Sequence, residues 1–421
     1  MNQLFTKKTI AYLGGLLLLC QTPVVAQKNS PLQTGIWRAT LGIYEGKQEL
    51  PFNLEIQAGK NGSFQAALLN GKERLEIKDI KQKNDSLLIP MHIFDAAIVA
   101  KIQDGGKTLS GLYRKYDGKD PNYSLPFRAN VAEKYRFKTQ NAATANVAGR
   151  WDVMFRDDGG QDSTQAVGIF EQEPNGQVSG TFLTTTGDYR FLAGQMNGNL
   201  LQLSCFDGSH AFLFTAEVNG KELRNGNFWA GAKGHESWTA KFNPKAALPD
   251  AGQLTHLKAG YQRLDFSFPD LNQQKVSLSD KKFAGKVVIV QLLGSWCPNC
   301  MDETLFLSEW YKSQDRSKVA IIGLAFERKK EFEYAKGRLE ILKKRFNINY
   351  DLLIAGIANK DSAAAALPAL DHVLAFPTTL ILDKKGTVRY IHTGFSGQGT
   401  GTEYEQFVAD FRKKIAALEG E

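Results

Sequence analysis

Four stretches in the first half of the chain recur in order at a nearly constant spacing, and this repeat constrains the architecture more than any other feature. "GIWRATL" around Trp37 matches "GRWDVMF" around Trp151, a shift of 114 residues. "NGSFQAALL" from Asn61 matches "NGQVSGTFL" from Asn175, and "TLSGLYR" around Leu109 matches "ELRNGNFW" around Leu223, each again by 114. "FDAAIVAKI" from Phe94 matches "FDGSHAFLF" from Phe206 at 112, so a small gap intervenes. A constant shift over four blocks means one structural unit of about 110 residues used twice. Each unit holds some eight strand-like runs, with tight turns expected at Asn61-Gly62, Asn175-Gly176 and Asn225-Gly226. Short, closely spaced strands without helical periodicity predict an antiparallel barrel or sandwich for residues 27–140 and again for 141–245.

Beyond the repeat the pattern changes. "NPKAALPDAGQ" (Asn243 to Gln253) is rich in Pro, Ala and Gly and reads as a linker, which is placed at residues 246–260. From 261 to 421 strands alternate with helices. "KVVIVQLLG" and "KVAIIGLAF" are continuous apolar runs, expected of strands buried on both faces. A helix is predicted from Cys297 to about Ser313, and a second with Ala335, Leu339, Leu342 and Phe346 on one face. A hairpin pairs "TTLILD" with "TVRYIH", and a last amphipathic helix carries Phe407, Phe411, Ile415 and Leu418. The fold class is therefore multidomain: two repeated antiparallel β units, then an α/β domain. The G-x-W that opens each β unit resembles the start of lipocalin-like up-and-down barrels. No titratable cluster marks a site in these units, and His210 and His235 read as ordinary strand or loop histidines. A packed spacer is the plain reading, a ligand or partner site the alternative.

The first 26 residues read as a cleaved secretory signal: Lys7 and Lys8, the apolar "TIAYLGGLLLLC", then "VVA" before Gln27. Lipid anchoring through Cys20 is the alternative, disfavoured by Leu19 at a place that usually holds a small residue. Either way the protein leaves the cytoplasm. The net charge of +8, or +6 without Lys7 and Lys8, is spread with both signs interspersed. That is a solvated surface and excludes a nucleic-acid footprint.

Export changes what cysteines mean. Three remain: Cys205, Cys297 and Cys300, too few for a disulfide framework in a chain of 421 residues. Cys205, in the apolar "LLQLSCFDG", reads as a small buried hydrophobe. The pair in "GSWCPNC" has three readings. Structural zinc needs four ligands, and no second pair or grouped histidines exist, so no metal is expected. A bond closing so short a loop would stabilise little. A redox centre remains. Cys297 stands where a buried strand passes into a helix, and unpaired amides at a helix start favour a thiolate. Pro298 suits a first helical turn. Cys297 is thus the expected nucleophile, and Cys300, one turn on, the resolving thiol.

"SWCPNC" after a buried strand, with "AFPTTLILD" before a hairpin, resembles the thioredoxin superfamily over roughly Leu264 to Leu418. Within it the chain is most similar to the TlpA/ResA-type exported disulfide reductases. The shared features are the lead-in "DFSFPDLNQQKVSLSDKKFAGK", a long stretch between Cys300 and Pro377, and the leader. The resemblance implies a thioredoxin fold with Pro377 as a cis-proline facing the cysteines, and an extended client pairing beside it. It places Phe376 and Trp296 around the site with Pro298 and Asn299, Trp296 either shielding the sulfurs or simply packed. The titratable Asp of thioredoxins is Gln291 here, as often in the TlpA/ResA group, and Glu303 fits that group's Glu. Glu303 either exchanges a proton with Cys300 or complements the helix dipole. Met301 stands where a basic residue is usual, Asp302 reads as surface charge, and Gly394 to Phe407 as a flexible loop beside the site. Glu327 and Arg328 end a buried strand near the same edge.

The expected activity is reduction of protein disulfides through the Cys297–Cys300 pair, with no further cofactor. The expected partners are a disulfide-bearing client and a membrane-bound electron donor. Two other classes are weighed: a scaffold whose β units recruit a partner, and a thiol peroxidase, which wants a Pro-x-x-x-Thr/Ser-x-x-Cys loop that "QLLGSWC" lacks.

Overall fold

The computed structural model describes residues 32–91, 93–117, 120 and 122–421. The expected leader, residues 1–26, and Cys20 lie outside the described residues.

Both repeats fold as antiparallel barrels. In the first, eight strands from Gly35–Ile43 to Ser124–Asn130 run in chain order, and Arg38–Leu41 pair with Phe127–Asn130 to close the ring. In the second, Gly149–Asp157 pairs with both Ser163–Gln172 and Gly234–Phe242. Ser163–Gln172 pairs on with Gln177–Thr184, so eight strands again close, and the two-residue strand Gly187–Asp188 hangs from the ring. Period-2 alternation sends one face of each strand inward. Trp37, Ala39, Leu41 and Ile43 of one strand meet Leu50, Phe52, Leu54 and Ile56 of the next, all without exposure. The second barrel is filled by rings, among them Phe214 stacked on Phe228 at 4.3 Å between centroids and Phe155 edge-on to Phe182 at 5.3 Å. Cys205 is fully buried there, and burial pushes its thiol well up.

The duplication persists in atomic detail. Trp37 donates its indole N–H to the carbonyl of Gln33 at 3.2 Å, and Trp151 to that of Val147 at 2.9 Å, four residues back in both cases. One expected turn is different. Asn225-Gly226 lies inside the strand Glu222–Ala230, where Asn225 takes a left-handed φ of 50° and the register slips. It is a β-bulge, and a Cβ on Gly226 would strike the carbonyl and ring of Trp238.

The C-terminal domain is a five-stranded sheet flanked by helices. Its strand order is 351–357, 319–327, 287–293, 378–382, 388–393, parallel among the first three and antiparallel thereafter. Helices α1 (Pro298–Tyr311), α2 (Phe332–Phe346), α3 (Lys360–Ala366) and α4 (Thr402–Gly420) connect or cover it. The central strand Val287–Leu293 is buried along its whole length, as its apolar run requires. The stretch read as a linker is laid down on the protein: Ala246 is buried, Thr255 accepts a bond from Thr393 at 2.9 Å, and the Lys258 amide donates to Ala369 at 2.8 Å.

Polar anchors join the three parts. Arg136, between the barrels, donates to the Ser204 carbonyl at 3.2 Å and hydroxyl at 3.0 Å and to the Leu69 carbonyl. Asp95 of the first repeat accepts from the Tyr334 hydroxyl of α2 at 3.2 Å. Its counterpart in the second repeat, Asp207, pairs with Arg190 at 3.3 Å. Thus, of the two matching aspartates, Asp95 reaches the C-terminal domain, while Asp207 holds Arg190 within its own repeat.

Candidate active site

The sheet's central strand ends at Leu293, and the chain turns through Gly294–Trp296 into α1. Cys297 caps this helix with extended backbone, φ −103° and ψ 111°, and its sulfur accepts the Cys300 N–H at 3.2 Å. Pro298 opens the helix, where its missing N–H has no partner to lose. A disulfide joins Cys297 and Cys300 across a Cα separation of 5.2 Å. Both cysteines are buried, Cys300 completely and Cys297 with 5% of its surface exposed. The peptide between Phe376 and Pro377 is cis, and the Phe376 carbonyl lies 3.4 Å from the Cys297 sulfur. Sheet topology explains this proximity, since the strand that follows Pro377 is the antiparallel neighbour of the strand that precedes the cysteines.

Beneath the pair lies a buried polar cluster. Glu303 follows Cys300 by three positions on α1, hence on the same face. Its carboxylate accepts from the Gln291 amide at 2.8 Å and from the Thr379 hydroxyl at 2.8 Å, while Gln291 accepts in turn from Thr304 at 3.2 Å. Burial pushes the Glu303 carboxyl up to about 7, and the two hydrogen bonds resist that rise. At neutral pH it can both hold and release a proton. Glu303 therefore does not lie at the solvent rim as a simple helix-dipole partner. Glu327 is a second buried carboxylate, accepting from the Ser295 amide at 2.8 Å and hydroxyl at 2.7 Å, and burial raises it too.

Trp296 is half-buried at the mouth. Its indole donates to the Phe326 carbonyl at 2.8 Å, its ring meets Phe376 edge-on at 5.7 Å, and the Arg328 guanidinium lies 4.0 Å over its face. Arg328 also pairs with Asp117 of the first barrel at 3.7 Å. On the other side the second barrel reaches in. Asn299 donates to the carbonyls of Asp188 at 3.1 Å and Phe395 at 3.3 Å. Gly187 makes this approach possible: its φ is +137°, and a Cβ there would stand 2.7 Å from the Asn299 amide.

Three expectations are corrected here. Asp302 is not free surface charge, because it is paired with the buried Arg190. The loop from Gly394 is pinned, not flexible: Phe395 is 1% exposed and the Gly397 amide donates to Asp188 at 2.6 Å. The barrels do carry a titratable cluster, since Glu73, Asp188, Arg190 and Asp207 gather against α1. Burial, reinforced by Asp302, pushes the Asp188 carboxyl up to about 7. Glu73 and Arg190 are 117 positions apart, so no local pattern could have joined them. The one available sign was "TTTGDYRF", a charged turn between strands.

Residues 259–391 match the AhpC/TSA family. The thioredoxin-like protein YneN of Bacillus subtilis (strain 168) is 30% identical over 138 residues, which is 33% of this chain and 73% of that protein. The thiol-disulfide oxidoreductase ResA of Geobacillus kaustophilus (strain HTA426) is 29% identical over 142 residues, covering 34% of this chain and 73% of its own. The crystal structure of a secreted thiol-disulfide isomerase from Corynebacterium glutamicum is 19% identical and covers 42% of this chain and 97% of its own, with a TM-score of 0.31. Through its C-terminal domain, the chain belongs to the thioredoxin-like thiol-disulfide oxidoreductases.

Proposed function

We propose that this is an exported reductase of protein disulfides working through Cys297 and Cys300. The Cys297 thiolate attacks one sulfur of a client disulfide, forming a mixed disulfide and expelling the other client sulfur as a thiolate. Cys300 then attacks the Cys297 sulfur, which releases the second client thiol and leaves the Cys297–Cys300 disulfide. A membrane-bound donor returns the two electrons. The sulfurs carry the electron pair, so the reading invokes no further cofactor. Glu303 exchanges the proton of Cys300, and the backbone around Pro377 receives the client as an extended segment.

The observation that carries this reading is the Cys297 sulfur, capping α1 and accepting an amide hydrogen while it faces the cis Phe376–Pro377 peptide. An amide at a helix start stabilises a sulfur anion. Export rests on the leader; among the described residues no helix is long and apolar enough to cross a membrane.

The test is Cys300→Ala, which stalls the reaction at the mixed disulfide. Mass spectrometry should find client proteins bonded to Cys297 and released by dithiothreitol. Absence of such adducts, or adducts that persist in Cys297→Ser, would overturn the reading. The equilibrium of the pair with glutathione fixes the direction, a strongly oxidising value pointing to disulfide formation instead. Purified protein should not consume peroxide, since Gln291–Cys297 lacks the Pro and Thr of a peroxidase loop.

A further inference from the structure

Arg190 is the point at which all three parts of the chain meet. It occupies the turn after Gly187–Asp188 with a left-handed φ of 58°, held by its own amide donating to Asp188 at 2.8 Å. Its side chain is 5% exposed. The guanidinium pairs with Glu73 of the first barrel at 2.6 Å, with Asp207 of the second at 3.3 Å, and with Asp302 of α1. It also donates to the carbonyl of Pro298, the residue that follows Cys297, at 3.3 Å. A spacer domain needs none of this. Four partners place one cation against the first turn of the redox helix.

The charged groups that face Arg190 are acidic. Glu73, Asp188, Asp207 and Asp302 face Arg190, and His210 shares Asp207 at 3.1 Å. Burial works against the Asp207 carboxylate, but His210 and Arg190 outweigh it and hold the group well below the usual range. Glu303 and Glu327 lie beneath the helix start, and Arg328 with Asp117 caps the Trp296 side. Away from water a unit charge acts on its neighbours far more strongly than at the surface. A cation favours the thiolate, and an unopposed carboxylate favours the thiol.

We propose that Arg190, supplied by the second barrel, is a positioning residue of the redox pair that holds the first turn of α1 and sets the charge balance felt by Cys297. The barrel is then a working part of the redox centre. The proposal rests on Cys297 being the nucleophile. Reduction breaks the Cys297–Cys300 bond, takes up two electrons and one proton, and leaves Cys300 as thiol and Cys297 as thiolate where the local field is positive, a second proton binding Cys297 where it is not. Two glutathione molecules supply the electrons and become one glutathione disulfide.

The test uses the full-length protein and its variants Arg190→Gln, Arg190→Lys and Asp207→Asn. Two quantities are read: the equilibrium with glutathione, and the pH profile of Cys297 alkylation. Loss of the cation in Arg190→Gln should move the equilibrium at least about tenfold toward the disulfide, or about 30 mV, and shift the alkylation profile to higher pH. Arg190→Lys keeps the charge and should stay within about threefold of the parent. Asp207→Asn removes an opposing anion from the same cluster, and should move the equilibrium at least about threefold toward the dithiol. Shifts of opposite sign in Arg190→Gln and Asp207→Asn support the proposal, and any other pair of results overturns it. Should Arg190→Gln fail to fold by circular dichroism, the sign of the Asp207→Asn shift decides alone. A parent protein whose cysteines do not equilibrate with glutathione at all would instead overturn the reading of Cys297.

Discussion

Replacing Glu303 by Gln isolates the energetic cost of keeping an acid beneath the sulfurs. In the unfolded chain this carboxyl titrates near 4.5, and in the folded protein burial carries it to about 7. Folding with the group ionised therefore costs about 3 kcal/mol, at 1.36 kcal/mol for each tenfold change in proton affinity. Below about 4.5 both states are protonated, and the stability associated with the protonated form is fully present. As pH rises toward 7 the unfolded chain loses its proton first, so stability falls, and the loss is complete above the folded value. Gln carries no proton to lose, and its shape fits the site. Its carbonyl can accept from Gln291, and its amide can donate to the Thr379 hydroxyl, which rotates to accept. Urea unfolding of the disulfide form should show Glu303→Gln close to the parent at pH 4 and about 3 kcal/mol more stable at pH 8.5. The same variant should release a trapped mixed disulfide more slowly at pH 7, on the order of 100-fold, the low end for a positioned acid–base group. A stability difference that is the same at both pH values, or one that favours the parent at pH 8.5, would refute the reasoning.

Two further outcomes follow from the barrels. Phe214→Ala removes a fully buried ring that stacks on Phe228 and lies 4.8 Å from Phe182, and should destabilise the second barrel by about 3–5 kcal/mol, read from its urea transition by tryptophan fluorescence. Cys205 should resist iodoacetamide at pH 8 in the folded protein and react fully once the protein is unfolded in urea. Modification of the native form at the rate of a free thiol would show that the barrel core opens.

Much of the architecture was legible because it is written in short-range patterns. Alternation over a few residues marks half-buried strands, and the constant shift between Trp37 and Trp151 marks a repeated unit. The unbroken apolar run of Val287–Leu293 marks a strand covered on both faces. The C-x-x-C pair was equally plain, because the helix start that it caps lies in the same seven residues. The Asn225-Gly226 turn was misread for a local reason too, since a bulge and a hairpin both exploit a left-handed residue. Asp302 was misread because one residue on a helix does not reveal what the rest of the chain brings to it.

The sequence alone determined the two β units, the α/β domain and the paired cysteines at the start of a helix, all set by neighbours a few positions apart. Tertiary structure alone decided that Gln291, Thr379 and Glu303 share one buried cluster, and that Arg190 binds Glu73, Asp207 and the first turn of α1. The physical reason is range. Periodicity and helix capping act through adjacent bonds, whereas burial and charge act through space between segments that only the closed sheet and barrels bring together.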